Sequence, residues 1–465
     1  MRGKSTAAII GALWIAEITG SFETAMIYAA QRALTDDLGD PVRVGWLITS
    51  YLVIGAGAAA LAGRLGDIFG RRRLMLGMLT IAFVGSLVST FSVNYPMLLA
   101  GRCLQGLTGA ILPLCVGLVR ENLSPKQVPM GIGLMISGAS AGTACGLVIG
   151  GMIVDHYSWH GVFFASALFA AIAFIAIYCA LPSSPRARMD GRLDWIGGIL
   201  FVPAIFALLL AITSGPKWGL FDGRTAITVA LGLALMALWI RASLRTANPL
   251  FDVRLFANRQ VFIANAVTAL VAMSTLQITL VFSLLLQAPT WTQIGLGATA
   301  TLAGLAKLPS NISSLAAGPL SGWMTSRGGG RTTMITGGLL TTSGWLLAMF
   351  YNDSILVITL ILILISFGAT MQFAVGPTIL AGAVPPERTS EAAGMMTVMR
   401  QAFLGIGAQM VSVLLATSTV MTPGGGASYP TTGAFFLTMG VIVSLCIVAT
   451  LLAFALPRNA GVAAD

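Results

Sequence analysis

Five ionisable residues lie inside long apolar stretches of the sequence, and their chemistry points most directly to a function. They are two acids and three bases: Glu17, Glu23, Arg102, Lys307 and Arg400. A charged side chain in a membrane-spanning segment is energetically costly, so such residues usually face a bundle interior or a water-filled cavity and serve proton or substrate pathways. These five residues are therefore the core of the candidate site.

The composition indicates which elements must position them. Hydrophobic residues make up 56% of the 465-residue chain and charged residues only 9%, whereas about 25% of a soluble domain is charged. A helix needs roughly 20 apolar residues to cross a bilayer, and such stretches recur along the chain. We predict an all-α integral membrane protein of fourteen transmembrane helices, at approximately 7–30, 44–63, 74–94, 96–118, 129–154, 159–182, 194–213, 225–241, 261–287, 297–323, 332–351, 354–377, 393–417 and 432–457.

The predicted helices divide into two bundles and a linker. Residues 1–183 hold an N-terminal six-helix bundle, and residues 247–465 hold a C-terminal six-helix bundle. Residues 184–246 form a central linker with two extra helices, which hydropathy alone supports. A weak internal repeat fits this division, because the pattern of residues 63–72 recurs in part at residues 322–331. Many transporters are built from two such halves.

Basic residues indicate the orientation. Nineteen lysines and arginines fall on the predicted side of the N-terminus and four on the opposite side. The positive-inside rule then places both termini in the cytoplasm, and the chain is expected in the cell (inner) membrane. This asymmetry accounts for the net charge of +10, so no nucleic-acid partner is expected.

Other classes of function find little support. The five cysteines all fall in predicted spans without paired metal-ligand spacing, so we expect no metal and no cofactor. Residues 138–142 spell the serine-hydrolase pattern Gly-x-Ser-x-Gly, but they lie in an apolar helix, and His156 and His160 are at the far end of the same hairpin. The sequence also contains no phosphate-binding loop of the Gly-x-x-x-x-Gly-Lys type, and we do not expect an enzyme.

Four short motifs carry a family resemblance. The loop after the second predicted span has the pattern Gly-x-Leu-x-Asp-x-x-Gly-Arg-Arg, with Gly63, Leu65, Asp67, Gly70, Arg71 and Arg72. The fourth span contains Leu98, Arg102, Gln105, Gly106, Gly109 and Ala110. The fifth span contains Gly142, Gly146, Gly150 and Gly151, and the first contains Phe22, Glu23, Thr24, Ala25, Met26 and Ile27. On these motifs the chain resembles the major facilitator superfamily, in its fourteen-helix drug:proton antiporter branch, over essentially its full length.

For the loop after the second span, the resemblance implies a gate latch on the cytoplasmic side, made of Gly63, Asp67, Gly70, Arg71 and Arg72. The glycines would permit close turns, the acid would accept hydrogen bonds from a helix N-terminus, and the arginines would pair with carboxylates of neighbouring helices. Alternatively, the arginines only anchor the loop at the membrane surface. The partial repeat at 322–331 has a serine where the acid would stand, which suggests a latch in one half only.

The resemblance also relates Arg102 to proton coupling, and an arginine within a span costs at least ~2.5 kcal/mol and needs a partner. Glu23 is the first choice for the coupling acid, because a carboxyl in a poorly hydrated cavity can load and release a proton near neutral pH. Glu17 lies six positions earlier and points to a different helix face. It is either a structural ion-pair partner or a second proton site.

Gly142, Gly146 and Gly150 are also candidate gating residues. Their four-residue spacing places them on one helix face, where another helix can approach backbone to backbone. We expect this face to meet the other half of the molecule, either as a bending hinge or as plain helix packing. Leu147 stands where the family has proline, which weakens any inference about transport direction.

The candidate substrate cavity is drawn from the C-terminal half: Lys307, Arg400, Met399 and Gln372. Lys307 is near the middle of its predicted span, so exposure to a cavity is favoured over reaching the membrane surface. The six C-terminal predicted spans contain no acid, which favours monovalent lipophilic, neutral or anionic molecules over doubly charged cations. Met399 could adapt to varied ligands, although contact with lipid or helix packing is the simpler and favoured interpretation of this methionine.

These expectations converge on a proton-coupled secondary transporter that exports small, lipophilic organic molecules or drugs by alternating access. The alternative is an importer or uniporter of organic anions on the same fold, favoured by the excess of bases within the spans. The expected partners are a small-molecule substrate, protons and the lipid bilayer, and the chain is expected to be monomeric.

Overall fold

Helices make up most of the structure, which is a computed structural model describing residues 5–124, 128–182, 195–219, 222–246, 253–384, 389–421, 428–457 and 460. The α-helices in chain order are α1 (Thr6–Ala29), α2 (Gln31–Leu38), α3 (Pro41–Phe69), α4 (Arg71–Thr90), α5 (Tyr95–Gln105), α6 (Ile111–Asn122), α7 (Val128–His156), α8 (Trp159–Ala180), α9 (Trp195–Trp218), α10 (Gly223–Arg245), α11 (Arg259–Met273), α12 (Ile278–Gln287), α13 (Ala300–Phe350), α14 (Ile355–Ala383), α15 (Thr389–Leu415) and α16 (Thr432–Ala453). The strands β1 (Thr419–Met421) and β2 (Ser428–Pro430) pair antiparallel between α15 and α16.

Eleven helical segments within the described ranges are long and apolar enough to cross a membrane. They support the prediction of an all-α, multi-pass membrane protein. Both helices expected in the central linker are present as α9 and α10, which pack against each other. The sequence predicts only a short span at 225–241, but α10 extends for 23 residues.

The helices before and after this pair meet along two seams. We call α1 to α8 the N-terminal half and α11 to α16 the C-terminal half. One seam joins α3 to α15 and the other joins α7 to α13. Within the halves, α1 packs on α7 and α8, while α13 packs on α14 and α16.

The predicted loops at 64–73 and 324–331 are wrong, because helix continues through most of both segments. α3 runs to Phe69 and α4 begins at Arg71, so Gly70 alone separates them, with φ 88° and ψ 123°. α13 likewise stays helical except for a kink at Gly329, with φ 78° and ψ 158°. Such positive-φ extended conformations are essentially limited to glycine, which is why a single residue suffices to turn the chain.

The fourth and ninth predicted spans were expected to be continuous helices, but each is interrupted. A 3₁₀ segment, Gly106–Ala110, separates α5 from α6, and another, Thr275–Gln277, separates α11 from α12. A side chain at Gly109 would place its Cβ 2.5 Å from the Cα of Gly55 in α3. Glycine therefore allows α3 to lie directly against the interrupted segment.

Candidate functional site

Glu23 is buried in the N-terminal half between α1, α3 and the 3₁₀ segment Gly106–Ala110. Its side chain is 1% exposed, and its Oε2 accepts a hydrogen bond of 3.1 Å from the hydroxyl of Thr108. Its Oε1 has no hydrogen-bond partner among the described residues. The predicted coupling acid thus lies in the protein interior, away from lipid.

A chain of hydroxyl groups leads from this carboxyl to α3. The hydroxyl of Tyr51 lies 2.7 Å from the Thr108 Oγ1 and donates to the Gly20 carbonyl at 3.0 Å. The Thr108 hydroxyl also lies 2.8 Å from the carbonyl of Gln105. Because a hydroxyl carries one hydrogen, Thr108 can donate either to Glu23 or to that carbonyl, but not to both.

Arg102 lies beside this network and is 1% exposed. Its Nε donates to the Leu47 carbonyl at 3.0 Å and its Nη1 to the Oε1 of Gln105 at 2.9 Å. Its guanidinium carbon lies 4.4 Å from the centre of the Tyr51 ring, a cation–π contact. Arg102 acts electrostatically on Glu23, although no ion pair within 4.0 Å joins them in the described part of the chain.

Three polar residues of this network escape prediction from the sequence. They are Tyr51, Ser86 and Thr108, of which Ser86 accepts a 2.7 Å hydrogen bond from the Gln105 amide. Of the three, only Thr108 could have been suspected from the sequence, because it lies between Gly106 and Gly109 of the motif that contains Arg102. Tyr51 and Ser86 are ordinary residues in apolar helices, and nothing in their spacing indicates a shared site.

Glu17 and Glu23 occupy separate environments, in agreement with their spacing. Glu17 is 6% exposed, and the charge that acts on it is that of Arg400 in α15, across the interface between the halves. No ion pair within 4.0 Å connects these two residues in the described ranges. Arg400 lies well inside α15, and its guanidinium carbon is 5.9 Å from the centre of the Phe373 ring.

The other candidate cavity residues are dispersed. Lys307 is 5% exposed in α13, at the seam with α7. Gln372 is 3% exposed in α14 and lies against Gly337 of α13, inside the C-terminal half. Met399 is half-buried and packs in the apolar cluster between α11, α14 and α15. This arrangement does not gather the four residues into one open cavity.

The arginines of the predicted latch bind partners in the N-terminal half. Arg71 Nη1 lies 2.8 Å from Glu121 Oε1 and 3.3 Å from the Gly117 carbonyl, both on α6. Arg72 Nη2 donates to the Tyr178 carbonyl of α8 at 2.7 Å. The pairing with a carboxylate agrees with the sequence argument. The placement of Gly63 and of the Asp67 side chain lies outside the described residues.

The glycine stripe of α7 packs in a different direction from the one predicted. A Cβ at Gly142 would lie 2.7 Å from the Ile18 carbonyl, and one at Gly146 would lie 2.9 Å from the Phe22 carbonyl. Gly150 likewise faces α1, so the stripe meets a helix of its own half. The adjacent Gly151 is the residue that faces the C-terminal half, against Ala300.

Several polar contacts join the halves at one end of the molecule. We call this the closed end, where α3 and α13 begin and α7 and α15 finish. Asp155 accepts hydrogen bonds from the backbone amides of Ala300 at 2.9 Å and Thr301 at 2.8 Å. On the other seam, the Thr49 hydroxyl lies 3.1 Å from the Oε1 of Gln409.

The β1–β2 hairpin adds a further contact at the closed end. Ser428 donates to the carbonyl of Gly39 at 3.0 Å, and the Tyr429 hydroxyl donates to the carboxylate of Asp36 in α2. Burial raises the pKa of the Tyr429 hydroxyl well above its usual value. The tyrosine therefore remains a hydrogen-bond donor throughout the physiological pH range.

The apolar helices and the buried charges between them define a multi-pass membrane protein. The chain belongs to the Major Facilitator Superfamily, whose family model matches residues 13–408. It is accordingly a secondary transporter for small molecules.

The relatives of this chain include resistance proteins. The chain is 28% identical to the multidrug resistance protein Stp of Mycobacterium tuberculosis over 377 residues, 80% of this chain and 68% of Stp. It is 27% identical to the tetracenomycin C resistance and export protein of Streptomyces glaucescens over 422 residues, covering 90% and 77% of the two chains. The multidrug resistance protein B homolog of M. tuberculosis is 28% identical, and the match spans 72% of this chain and 61% of that longer relative.

Solved structures share the fold at low sequence identity. A peptide transporter POT in complex with sulfate has a TM-score of 0.70 at 16% identity, covering 97% of this chain and 95% of its own. The inward-open xylose transporter XylE of E. coli has a TM-score of 0.64 at 13% identity, covering 97% and 96%. These similarities establish the fold of the chain but do not identify its substrate.

Proposed function

We propose that the chain is a proton-coupled exporter of small, lipophilic organic molecules, with fourteen membrane-spanning helices and both termini in the cytoplasm. The resistance and export proteins among its relatives support export. The paired helices α9 and α10 support two spans beyond two six-helix bundles. The distribution of basic residues supports the orientation.

The observation that carries the proposal is the environment of Glu23. A permanently ionised carboxylate in the protein interior would be expected to accept several hydrogen bonds or to contact a cation directly. Glu23 accepts a hydrogen bond from Thr108, has the Ser86 hydroxyl nearby, and has one oxygen without a hydrogen-bond partner in the described chain. This suits a carboxyl that gains and loses a proton during the transport cycle.

The hydrogen bonds of the hydroxyl chain change direction when Glu23 gains or loses a proton. When Glu23 is ionised, Thr108 donates to it, and Thr108 can accept from Tyr51 only if the Tyr51 hydrogen turns away from the Gly20 carbonyl. When Glu23 is protonated, its own hydroxyl can donate to Thr108, whose hydrogen then turns to the carbonyl of Gln105. Protonation therefore reverses the hydrogen bond between α1 and the 3₁₀ segment, next to Arg102.

The proposed cycle alternates the end of the molecule that is open. The closed end is proposed to face outward, so that the structure represents an inward-facing state. Opening of that end exposes Glu23 to external protons, whose binding favours release of substrate. Deprotonation toward the cytoplasm restores the form that binds substrate. Asp67 and Arg71 are proposed to latch the cytoplasmic side while the outer end is open.

The test uses purified protein in liposomes with an imposed pH gradient and pyrenebutyramide, a neutral lipophilic fluorophore, as the probe. Glu23→Gln should abolish gradient-driven movement of the probe and leave the thermal unfolding midpoint near that of the unaltered protein. Glu17→Gln is the matched control, because Glu17 is also a buried acid of the same helix and has a different charged neighbour. Coupling that survives Glu23→Gln but is lost in Glu17→Gln would transfer the role to Glu17.

An importer or uniporter of organic anions is the second candidate. It is favoured by the excess of bases among the charges within the apolar segments: Arg102, Lys307 and Arg400 against Glu17 and Glu23. Such a protein would move its substrate along the substrate gradient with no response to the imposed pH gradient. The same liposome experiment distinguishes the two, because proton-dependent uptake into inside-out vesicles occurs only in the exporter.

A further inference from the structure

Lys307 is the one buried charge of the described chain for which no opposite charge is apparent. Arg102 interacts electrostatically with Glu23, and Arg400 interacts electrostatically with Glu17. Each of the two acids therefore has one arginine as its charged neighbour. Lys307 is 5% exposed, and its Nζ has no hydrogen-bond partner within the described ranges. A buried ammonium group without a counter-charge is strongly unfavourable, so its retention requires a compensating role.

The surroundings of Lys307 are polar on one side and contain no acid. The pocket that Lys307 helps to line is bounded by residues of both halves, including Ala29 of α1 and Leu147 of α7. Its polar lining comes from α12: Thr279, Ser283 and Gln287. These residues are spaced four apart and therefore project from one face of the helix toward the lysine.

The polar stripe retains unused hydrogen-bond donors. The amide of Gln287 donates to the Ser283 hydroxyl at 2.7 Å, and that hydroxyl donates to the Tyr28 carbonyl at 2.6 Å. The second amide hydrogen of Gln287 and the hydroxyl of Thr279 remain to bind a ligand beside the ammonium group. An ammonium group flanked by neutral donors, with acids absent from the lining, is the chemistry of an anion site.

The position of the pocket ties its access to the transport cycle. Gly304 lies one turn before Lys307, and a Cβ there would be 2.7 Å from the Leu147 carbonyl across the seam. This pocket has room for no more than about one water molecule while the seam is closed. Separation of α7 from α13 at the closed end would open it to the cavity between the halves.

We propose that Lys307, with Thr279 and Gln287, forms a subsite for a single negative charge on the transported molecule, most simply a carboxylate. The inference rests on the proposed transport function and adds to it a preference for lipophilic molecules that carry one anionic group. The carboxylate supplies the counter-charge that the lysine lacks, and the rest of the molecule occupies the apolar space between the halves. The Glu23 carboxyl remains the proton-exchanging group.

The test measures equilibrium binding of two matched probes, pyrenebutyrate and its neutral amide, by energy transfer from tryptophan in the purified full-length protein. Lys307→Met should weaken binding of the carboxylate about tenfold or more, as expected for the loss of one charge-assisted hydrogen bond. It should leave binding of the amide within about twofold. Lys307→Arg, which restores the charge, should recover most of the carboxylate affinity and shows that a loss in the methionine variant is not a folding defect.

Replacement of chloride by gluconate distinguishes a carboxylate of the substrate from a free anion. The proposal expects no effect of this exchange on either probe. It is overturned if chloride removal reproduces the Lys307→Met effect, if Lys307→Met weakens both probes equally, or if it weakens neither. Because binding requires no pH gradient, these outcomes are independent of whether Glu23→Gln abolishes proton coupling.

Discussion

Gly70 and Gly329 adopt the same kind of backbone conformation at corresponding positions of the two halves. Each has a positive φ with an extended ψ, 88° and 123° for Gly70 and 78° and 158° for Gly329. Each also stands two positions before an arginine, Arg72 or Arg331. The second copy of the motif has a serine in place of the acid but keeps the turn at Gly329. The turn therefore needs a glycine whether or not the acid forms a latch.

The first prediction concerns these two turns. Gly70→Ala and Gly329→Ala should each lower the stability of the protein by about 1–3 kcal/mol, because an alanine cannot adopt this conformation without strain. The thermal unfolding midpoint in detergent should fall for both variants. Gly77→Ala in α4 is the control, since its Cβ would meet no heavy atom within 4 Å and alanine favours helix. Equal stability of the Gly70 and Gly77 variants would contradict the argument.

The second prediction concerns the ion pair of Arg71 with Glu121. Both side chains are about one-quarter exposed, at 24% and 23%, and their contact is 2.8 Å. A double-mutant cycle with Arg71→Gln and Glu121→Gln should give a coupling energy of about 0.5–1 kcal/mol in thermal or denaturant unfolding. The coupling should shrink in 1 M salt because the pair is partly screened by solvent. Strictly additive single variants would mean that Arg71 only anchors the helix end.

The sequence predicts the membrane fold and the interior charges well, because both depend on properties that are local in the chain. A stretch of apolar residues as long as α16 can be accommodated only as a helix in lipid. A glutamate or arginine within such a stretch must face the protein interior, and Glu23 and Arg102 are each 1% exposed. The number of spans, by contrast, also depends on interruptions such as the one between α5 and α6, which hydropathy does not reveal.

The contacts that these buried charges make could not be predicted from the spacing of residues in the sequence. Glu23 and Thr108 are 85 positions apart, and only the packing of α1 on the 3₁₀ segment brings them together. The interruption itself is hidden, because Gly106 and its neighbours are compatible with a continuous helix. The glycine stripe of α7 illustrates the same limit, since its spacing indicates a close helix partner without indicating which helix.

The third prediction tests whether close glycine contacts seal the closed end. Gly304→Ala introduces a Cβ at 2.7 Å from the Leu147 carbonyl, a backbone atom that cannot move aside alone. The variant should shift the protein toward the state in which this end is open. Gly318→Ala on the same helix meets nothing within 4 Å and should leave the equilibrium unchanged.

The measurement is the distance between spin labels at Val93 and Tyr351, which are 86% and 58% exposed in turns at the closed end. These positions lie in opposite halves, so their separation reports opening of the seam. The partly or fully exposed cysteines, Cys103, Cys145 and Cys179, would first be replaced by serine, which leaves only buried thiols. A distance distribution that is the same for both glycine variants would show that the seam tolerates the added methyl group.

The fourth prediction concerns Asp155, which links the halves by binding the start of α13. Its two carboxylate oxygens accept the amides of Ala300 and Thr301, which have no acceptor within their own helix. Asp155→Ala should destabilise the closed end by about 1–2 kcal/mol, a 5- to 30-fold change in the ratio of closed to open molecules. Asp155→Asn should have a smaller effect, because one oxygen acceptor remains.

The spin-label pair at Val93 and Tyr351 measures this change as well, through the fraction of molecules in the longer-distance population. Asp353→Ala is the matched control, since Asp353 is an acid of the same end whose carboxylate accepts a hydrogen bond from the adjacent Asn352. Its removal takes away an equal charge without touching the seam between α7 and α13. A shift of the same size in both variants would mean that surface charge, and not the cap on α13, holds the closed end together.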